Sequence, residues 1–125
     1  MADLNTSGAP PTEGVVDRDF LLDMADGDTE FVCELVEAFS DDIPKRISAI
    51  REALASDDVE VIAREAHALK GAVGNFSVTS AHEAMRKVEQ ISRAGSTDGL
   101  AEAWEDADRE INAVRASLEA IVASF

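Results

Sequence analysis

The sequence predicts an all-α fold: an antiparallel up-down four-helix bundle with one additional short helix at its N-terminal end. Apolar residues recur at steps of three and four along four long segments. No segment alternates with a period of two, and no Asn-Gly or Asp-Gly pair sits between strand-like runs. Short turns join the helical segments, which favours antiparallel packing of consecutive helices.

The first fourteen residues, MADLNTSGAPPTEG, are small, polar and proline-bearing, and read as a flexible tail before a domain spanning 15–125. Asp17 is placed to cap a short helix that Gly27 would stop. Phe31, Leu35, Phe39, Ile43, Ile47, Ile50 and Leu54 then form one helical stripe. Pro44 falls inside it, where it should kink the helix or divide it. Asp57 and Glu60 have capping-box spacing before a segment expected to run from about Asp58 to about Phe76. Ser80 and Glu83 repeat that spacing ahead of a helix edged by Ala81, Met85, Val88 and Ile91. RAGSTDG reads as a turn with a cap. Leu100, Trp104, Ala107, Ile111, Val114, Leu118, Ile121 and Phe125 then alternate steps of four and three, a heptad seam.

Composition narrows the function classes. Cys33 is the only cysteine, so neither an intramolecular disulfide nor a cysteine-based metal site can form. Twenty-six acidic against eleven basic residues give a formal net charge of −15, which speaks against nucleic acid or an anionic membrane as partner. With no long apolar run and no basic leader before a hydrophobic segment, the expected location is cytoplasmic.

One stretch departs from ordinary helix composition. In REAHALKGAVGNF, glycine occurs at Gly71 and Gly74, each costing about 1 kcal/mol relative to alanine in a helix interior. At 100° per residue, Ile62, Ala66, Leu69, Val73 and Phe76 fall roughly 180–260° from His67 and make the core face. Lys70, Gly71 and Gly74 fall within roughly 60° of His67, on the opposite side. A histidine, a lysine and two glycines thus form one exposed stripe. Glycine there leaves room for something large to approach the histidine.

A neutral exposed imidazole can act as a nucleophile through a ring nitrogen, and a lysine one turn away can neutralise charge placed on that ring. No nucleophile elbow or phosphate-cradling G-x-x-x-x-G-K loop is present. The di-iron bundle motif needs Glu three residues before His, but Arg64 precedes His67 and Thr79 precedes His82 at that offset.

AHALKGAVGNF, Ala66 to Phe76, resembles the signature of histidine-containing phosphotransfer (HPt) domains: H-x-L-K-G, a small residue or glycine, then an aromatic or leucine. The match covers about a dozen residues, and the family's four-helix fold agrees with the pattern from Val15 to Phe125. The resemblance implies that His67 accepts a phosphoryl group, at Nε2, from a phospho-aspartate of a receiver domain and passes it to another receiver. It implies that Lys70 steadies the phosphoryl oxygens and that Gly71 and Gly74 leave clearance for the receiver. Response-regulator receiver domains and a hybrid or other histidine kinase would be the partners. Magnesium would sit in the receiver's acidic pocket, so this chain would need no cofactor or metal of its own.

Two positions depart from the family pattern. Ala72 stands where many members have serine, and Ser77 where glycine is frequent. Related domains open the chemotaxis histidine kinases, where a glutamate on the next helix can hydrogen-bond the other imidazole nitrogen. By that resemblance Glu89 would orient the His67 ring; the other reading makes it an ordinary solvated glutamate. His82 has no such match and is expected to serve surface or packing only.

The chain is therefore expected to be a phosphohistidine carrier rather than a kinase with its own ATP site. The alternative is a non-catalytic helical module that docks on a receiver or kinase without phosphotransfer; intact His67 and Lys70 weigh against it. A third reading assigns the heptad seam to oligomerisation. The polar run EDADRE, Glu105 to Glu110, makes that seam a core element and the chain an expected monomer.

Overall fold

Five helices make up the computed structural model, which describes residues 16–76 and 78–125: α1 Arg18–Met24, α2 Thr29–Ala55, α3 Val59–Gly74, α4 Thr79–Arg93 and α5 Leu100–Ala123. The tail expected over 1–14 and the departure at Ser77 lie outside the described residues. Each long helix packs on the next, and α5 closes back on α2, completing the bundle. Contacts between neighbours fix the antiparallel sense. Phe39 meets Phe76 edge-to-face at 5.1 Å between ring centroids, while Arg46 pairs with Glu65 at 2.9 Å, farther along α2 and farther back along α3.

The core stripe of α2 is Val32, Val36, Phe39, Ile43, Ile47, Ile50 and Ala53. It coincides with the predicted stripe in the middle and differs at both ends. Phe31 is 47% exposed, and Leu35 and Leu54 are only half-buried. The valines one residue on from Phe31 and Leu35 keep the spacing of the central residues, so geometry overrides side-chain size there. Pro44 does not divide the helix, which is continuous from Thr29 to Ala55. The proline is exposed, so its ring and its missing N–H disturb only the solvent side. Along α5 the predicted seam is buried from Leu100 to Ile121, facing the core of its own chain, whereas Phe125 is 40% exposed.

Helix ends differ from the predicted caps in a systematic way. Asp17 caps α1 as expected, accepting from the Asp19 and Phe20 amides. Asp58, not Asp57, caps α3, with its Oδ1 accepting from Val61 N–H. The predicted Ser80–Glu83 capping box is absent. Helix α4 starts from Val78 without a side-chain cap, Ser80 Oγ donates to Glu110, and Glu83 binds Arg86. Burial of Phe76 and Val78 pins that turn in place of a polar cap. Likewise α5 starts from Gly99, at φ 73°, with no side-chain cap. Helix α3 ends at Gly74 rather than Phe76, but Phe76 stays buried in the turn that follows.

Three helices end in Schellman turns. After α1, Gly27 N–H reaches Leu22 O and Asp26 N–H reaches Asp23 O; after α2, Asp58 reaches Ala53 and Asp57 reaches Leu54. After α4, Ser96 reaches Ile91 and Gly95 reaches Ser92. The left-handed position belongs to Gly95 in the last case, but to Asp26 (φ 53°) and Asp57 (φ 56°) in the others. A β-carbon in that conformation costs free energy that glycine avoids. The Asp57→Gly variant is therefore expected to be more stable by about 0.5–1 kcal/mol, raising Tm by a few degrees in a thermal melt. A lower Tm would show that the Asp57 side chain has a stabilising role that outweighs its strain.

Helix α1 is tied to the far end of the chain. Val16 N–H donates to Ser117 Oγ at 2.9 Å, and the Arg18 guanidinium lies 5.3 Å from the Phe125 ring centroid. Leu21 inserts fully into the core. The site-bearing helices α3 and α4 lie between these two ends in sequence, and they share the most extensive helix contact in the bundle.

Candidate functional site

His67 stands on α3 with Ala66 and Leu69, both fully buried, anchoring the backbone on either side. Its own side chain is 63% exposed. One helical turn along, Gly71 and then Gly74 are exposed as well. A β-carbon at Gly71 would meet nothing within 4 Å, and one at Gly74 would meet only His82 Cδ2, at an ordinary 3.8 Å. Both residues are helical, and neither has a positive φ. Neither backbone conformation nor packing within the chain requires glycine at these two positions.

Glu89 lies against the ring. It is 8% exposed and reaches across from α4, so it is not the ordinary solvated glutamate of the other reading. Its Oε2 lies 3.0 Å from His67 Nδ1 and accepts from Arg93 Nε at 2.7 Å. Its Oε1 has Lys70 Nζ at 2.8 Å, an ion pair whose angle is poor for a directed hydrogen bond. Burial would raise the carboxyl pKa, but the contacts with Lys70, Arg93 and His67 together outweigh it and push the group down to about 2. Glu89 is thus an ionised acceptor at neutral pH. Its partner Nδ1 must supply the hydrogen, which leaves the lone pair of a neutral ring on Nε2.

The structure brings His67, Lys70 and Glu89 into direct contact and puts Gly71 and Gly74 on the same exposed stripe. It also shows what the sequence reading passed over. Arg93, four residues after Glu89, completes the cluster, and the Glu-to-Arg i,i+4 spacing was its visible signal. Burial of Glu89 had a signal too, since it falls four residues after Met85 and next to Val88, inside the apolar arc of α4. Lys70 is only 24% exposed, because it leans onto the carboxylate instead of extending into water. His82 is half-buried beside Gly74 and makes no contact with the cluster.

A cleft of about 720 Å³ opens beside His67, with Ala63, Arg64, Ser92 and Arg93 among its walls. Arg64, Lys70 and Arg93 gather around one histidine in a chain that has only eleven basic residues. Glu60 lines the same cleft, Arg64 pairs with Glu65 at 3.6 Å, and Glu89 holds Lys70 and Arg93, so charges of both signs surround the ring. Among the described residues, no group of three or more His, Cys, Asp or Glu side chains is placed to hold a metal ion. No helix among them is long and apolar enough to cross a membrane.

A family model described as the Hpt domain matches residues 34–124, which takes in all of α3, α4 and α5 and most of α2. The chain belongs to the Hpt domain family. Histidine phosphotransfer in phosphorelays, through receiver domains and kinases, is the general work of Hpt domains. Comparison with curated proteins and with solved structures returns no match. Helix α1 falls outside the matched span, so the His67 cluster lies wholly within the Hpt region while the α1 strap does not.

The shifted carboxylate links the site to acid stability. A group lowered from 4.5 to about 2 on folding contributes stability in full above about pH 5 and loses it as the pH falls toward 2. Glu89→Gln should destabilise the bundle by on the order of 2 kcal/mol at pH 7, discounted because Arg93 and His67 are more than half exposed. In denaturant melts the gap to wild type should close between pH 5 and pH 2. A gap of constant size across that range would mean that Glu89 acts by shape and not by charge.

Proposed function

We propose that this Hpt domain is a phosphorelay intermediate that carries its phosphoryl group on His67 Nε2, taking it from a receiver-domain aspartate and passing it to another receiver. The observation that carries this reading is the buried Glu89 carboxylate on Nδ1, 3.0 Å away, which turns the lone pair of an exposed ring outward on Nε2. That lone pair attacks the phosphorus of an aspartyl phosphate. The N–P bond forms as the P–O bond breaks, and the aspartate leaves as a carboxylate with the electron pair. Because Nδ1 keeps its hydrogen, the phosphorylated ring gains positive charge, which Glu89 offsets. Onward transfer is the same step in reverse, with a second receiver.

Lys70 is the cation available to the phosphoryl oxygens, one turn from His67 on the same face. The magnesium of such transfers belongs to the receiver, and the bundle's part is to present a nucleophile on a surface that a receiver can cover. Gly71 and Gly74 keep that surface low. Lys70 and Arg93 together exceed the Glu89 carboxylate by one positive charge, which suits an acidic, phosphorylated partner pocket.

Incubation with a phosphorylated receiver should place acid-labile, base-stable phosphate on the wild-type chain. His67→Gln should keep the fold, because the side chain is exposed, and take up none of the label. His82→Gln should label nearly as wild type does. Label retained by the His67 variant and lost by the His82 variant would overturn the site assignment, and a wild type without label would favour a docking module.

Gly74 separates docking from packing. Its position has room for a side chain, so Gly74→Leu should be no less stable than wild type and more stable by up to several tenths of a kcal/mol. A leucine there leans back toward Lys70, not as far as His67. Transfer from a phosphorylated receiver should fall sharply, while labelling by a small donor such as phosphoramidate changes little relative to wild type. Lost stability with a proportional loss for both donors would identify Gly74 as a packing residue.

A further inference from the structure

Two full cations converge on one carboxylate beside His67, where a single one would balance it. Lys70 Nζ is 2.8 Å from Glu89 Oε1, and Arg93 Nε is 2.7 Å from Oε2. The imidazole in its nucleophilic form is neutral and adds a hydrogen bond without a charge. Lys70 is mostly covered and committed to Glu89, although the phosphotransfer reading needs it at the phosphoryl oxygens. Some other group must hold Glu89 when Lys70 leaves, because a carboxylate 8% exposed cannot be stripped of its counterion cheaply.

We infer that Arg93 is a positioning residue for phosphotransfer, holding Glu89 in place so that Lys70 is free to move from the carboxylate to the phosphoryl group. The inference rests on the proposed role of His67 as phosphoryl acceptor. Arg93 has the required properties. It sits one turn along the same helix as Glu89, so its reach does not depend on the docking partner. Its guanidinium stays charged at every relevant pH. It also binds Oε2, the oxygen that receives His67 Nδ1, so it steadies the atom that fixes the ring.

The cluster carries one surplus positive charge at rest and none after transfer. At rest, Lys70 and Arg93 face one carboxylate. After transfer, the phosphorylated ring is itself cationic through its Nδ1–H, so Glu89 keeps Arg93 and gains the ring as a charged neighbour. Lys70 is then surplus at the carboxylate and pairs with the phosphoryl oxygens. Without Arg93, Lys70 would be the sole full counterion of Glu89 in the unphosphorylated protein. Glu89 would then be drawn toward Lys70 and away from His67.

The test compares wild type, Arg93→Ala, Arg93→Lys, Glu89→Gln and the Glu89→Gln/Arg93→Ala double variant. It reads the initial rate of transfer from a phosphorylated receiver and the ring tautomer of His67 by nitrogen-15 NMR on unphosphorylated protein. Arg93→Ala should slow transfer several-fold and shift the ring away from the Nδ1–H tautomer. Arg93→Lys should recover most of both. In the Glu89→Gln background the same change should add nothing, because no carboxylate remains to be held. Wild-type rate and tautomer in Arg93→Ala would overturn the inference alone, with the phosphotransfer reading intact. An undiminished loss in the Glu89→Gln background would also overturn it, placing Arg93 in direct contact with the phosphoryl group or the receiver. A wild type that takes no label on His67 would overturn the phosphotransfer reading and this inference together.

Discussion

A single buried carboxylate, Glu89, gathers the polar cluster of this bundle. Remove its charge and three neighbours lose their reason for standing where they do: the His67 ring, the Lys70 amine and the Arg93 guanidinium. An ion so deeply covered would be a liability in an apolar interior. It is tolerable because it lies at the seam between α3 and α4, where cations from both helices reach it from the solvent side. The core beneath contributes rigidity. Leu69, Met85 and Val88 are fully buried and fix the spacing of the two helices, so the 3.0 Å contact across the seam follows from packing.

The exposed face follows a different logic. A helix of sixteen residues carrying two glycines on its solvent side gives up local propensity, and neither position is repaid by packing within the chain. Under the proposed function, the benefit lies in the clearance these positions leave for a receiver. The same stripe carries the exposed imidazole. Imidazole and glycines thus share one periodicity, with the core at one azimuth and the exposed stripe at the other.

Much of this could be read from the chain. The bundle, the azimuth of His67 and the exposure of Gly71 and Gly74 follow from helical arithmetic, because burial on one face forces everything opposite into water. Glu89 was harder to place. Its type predicts exposure and its position predicts burial, and only the distance across to α3 decides between them. Arg93 was missed for a similar reason, since an i,i+4 pair on a surface helix is commonplace until its acidic member is found to be buried. Cap positions misled where the chain satisfied a helix end by other means. Burial of Phe76 and Val78 displaced the Ser80 capping box, and a left-handed aspartate moved the start of α3 on by one residue.

Every side chain of the charged cluster comes from the α3–α4 hairpin, two helices adjacent in sequence and antiparallel in space. Its assembly therefore depends on contacts of short loop length, which carry a small closure entropy. Closure of α5 against α2 and the strapping of α1 to Ser117 are the long-range steps, and they lie outside the cluster. Local opening of α1 need not separate His67 from Glu89, since neither residue lies on it. The charged cluster is thus a property of one helical hairpin and is set apart from the long-range closure that joins the two ends of the fold.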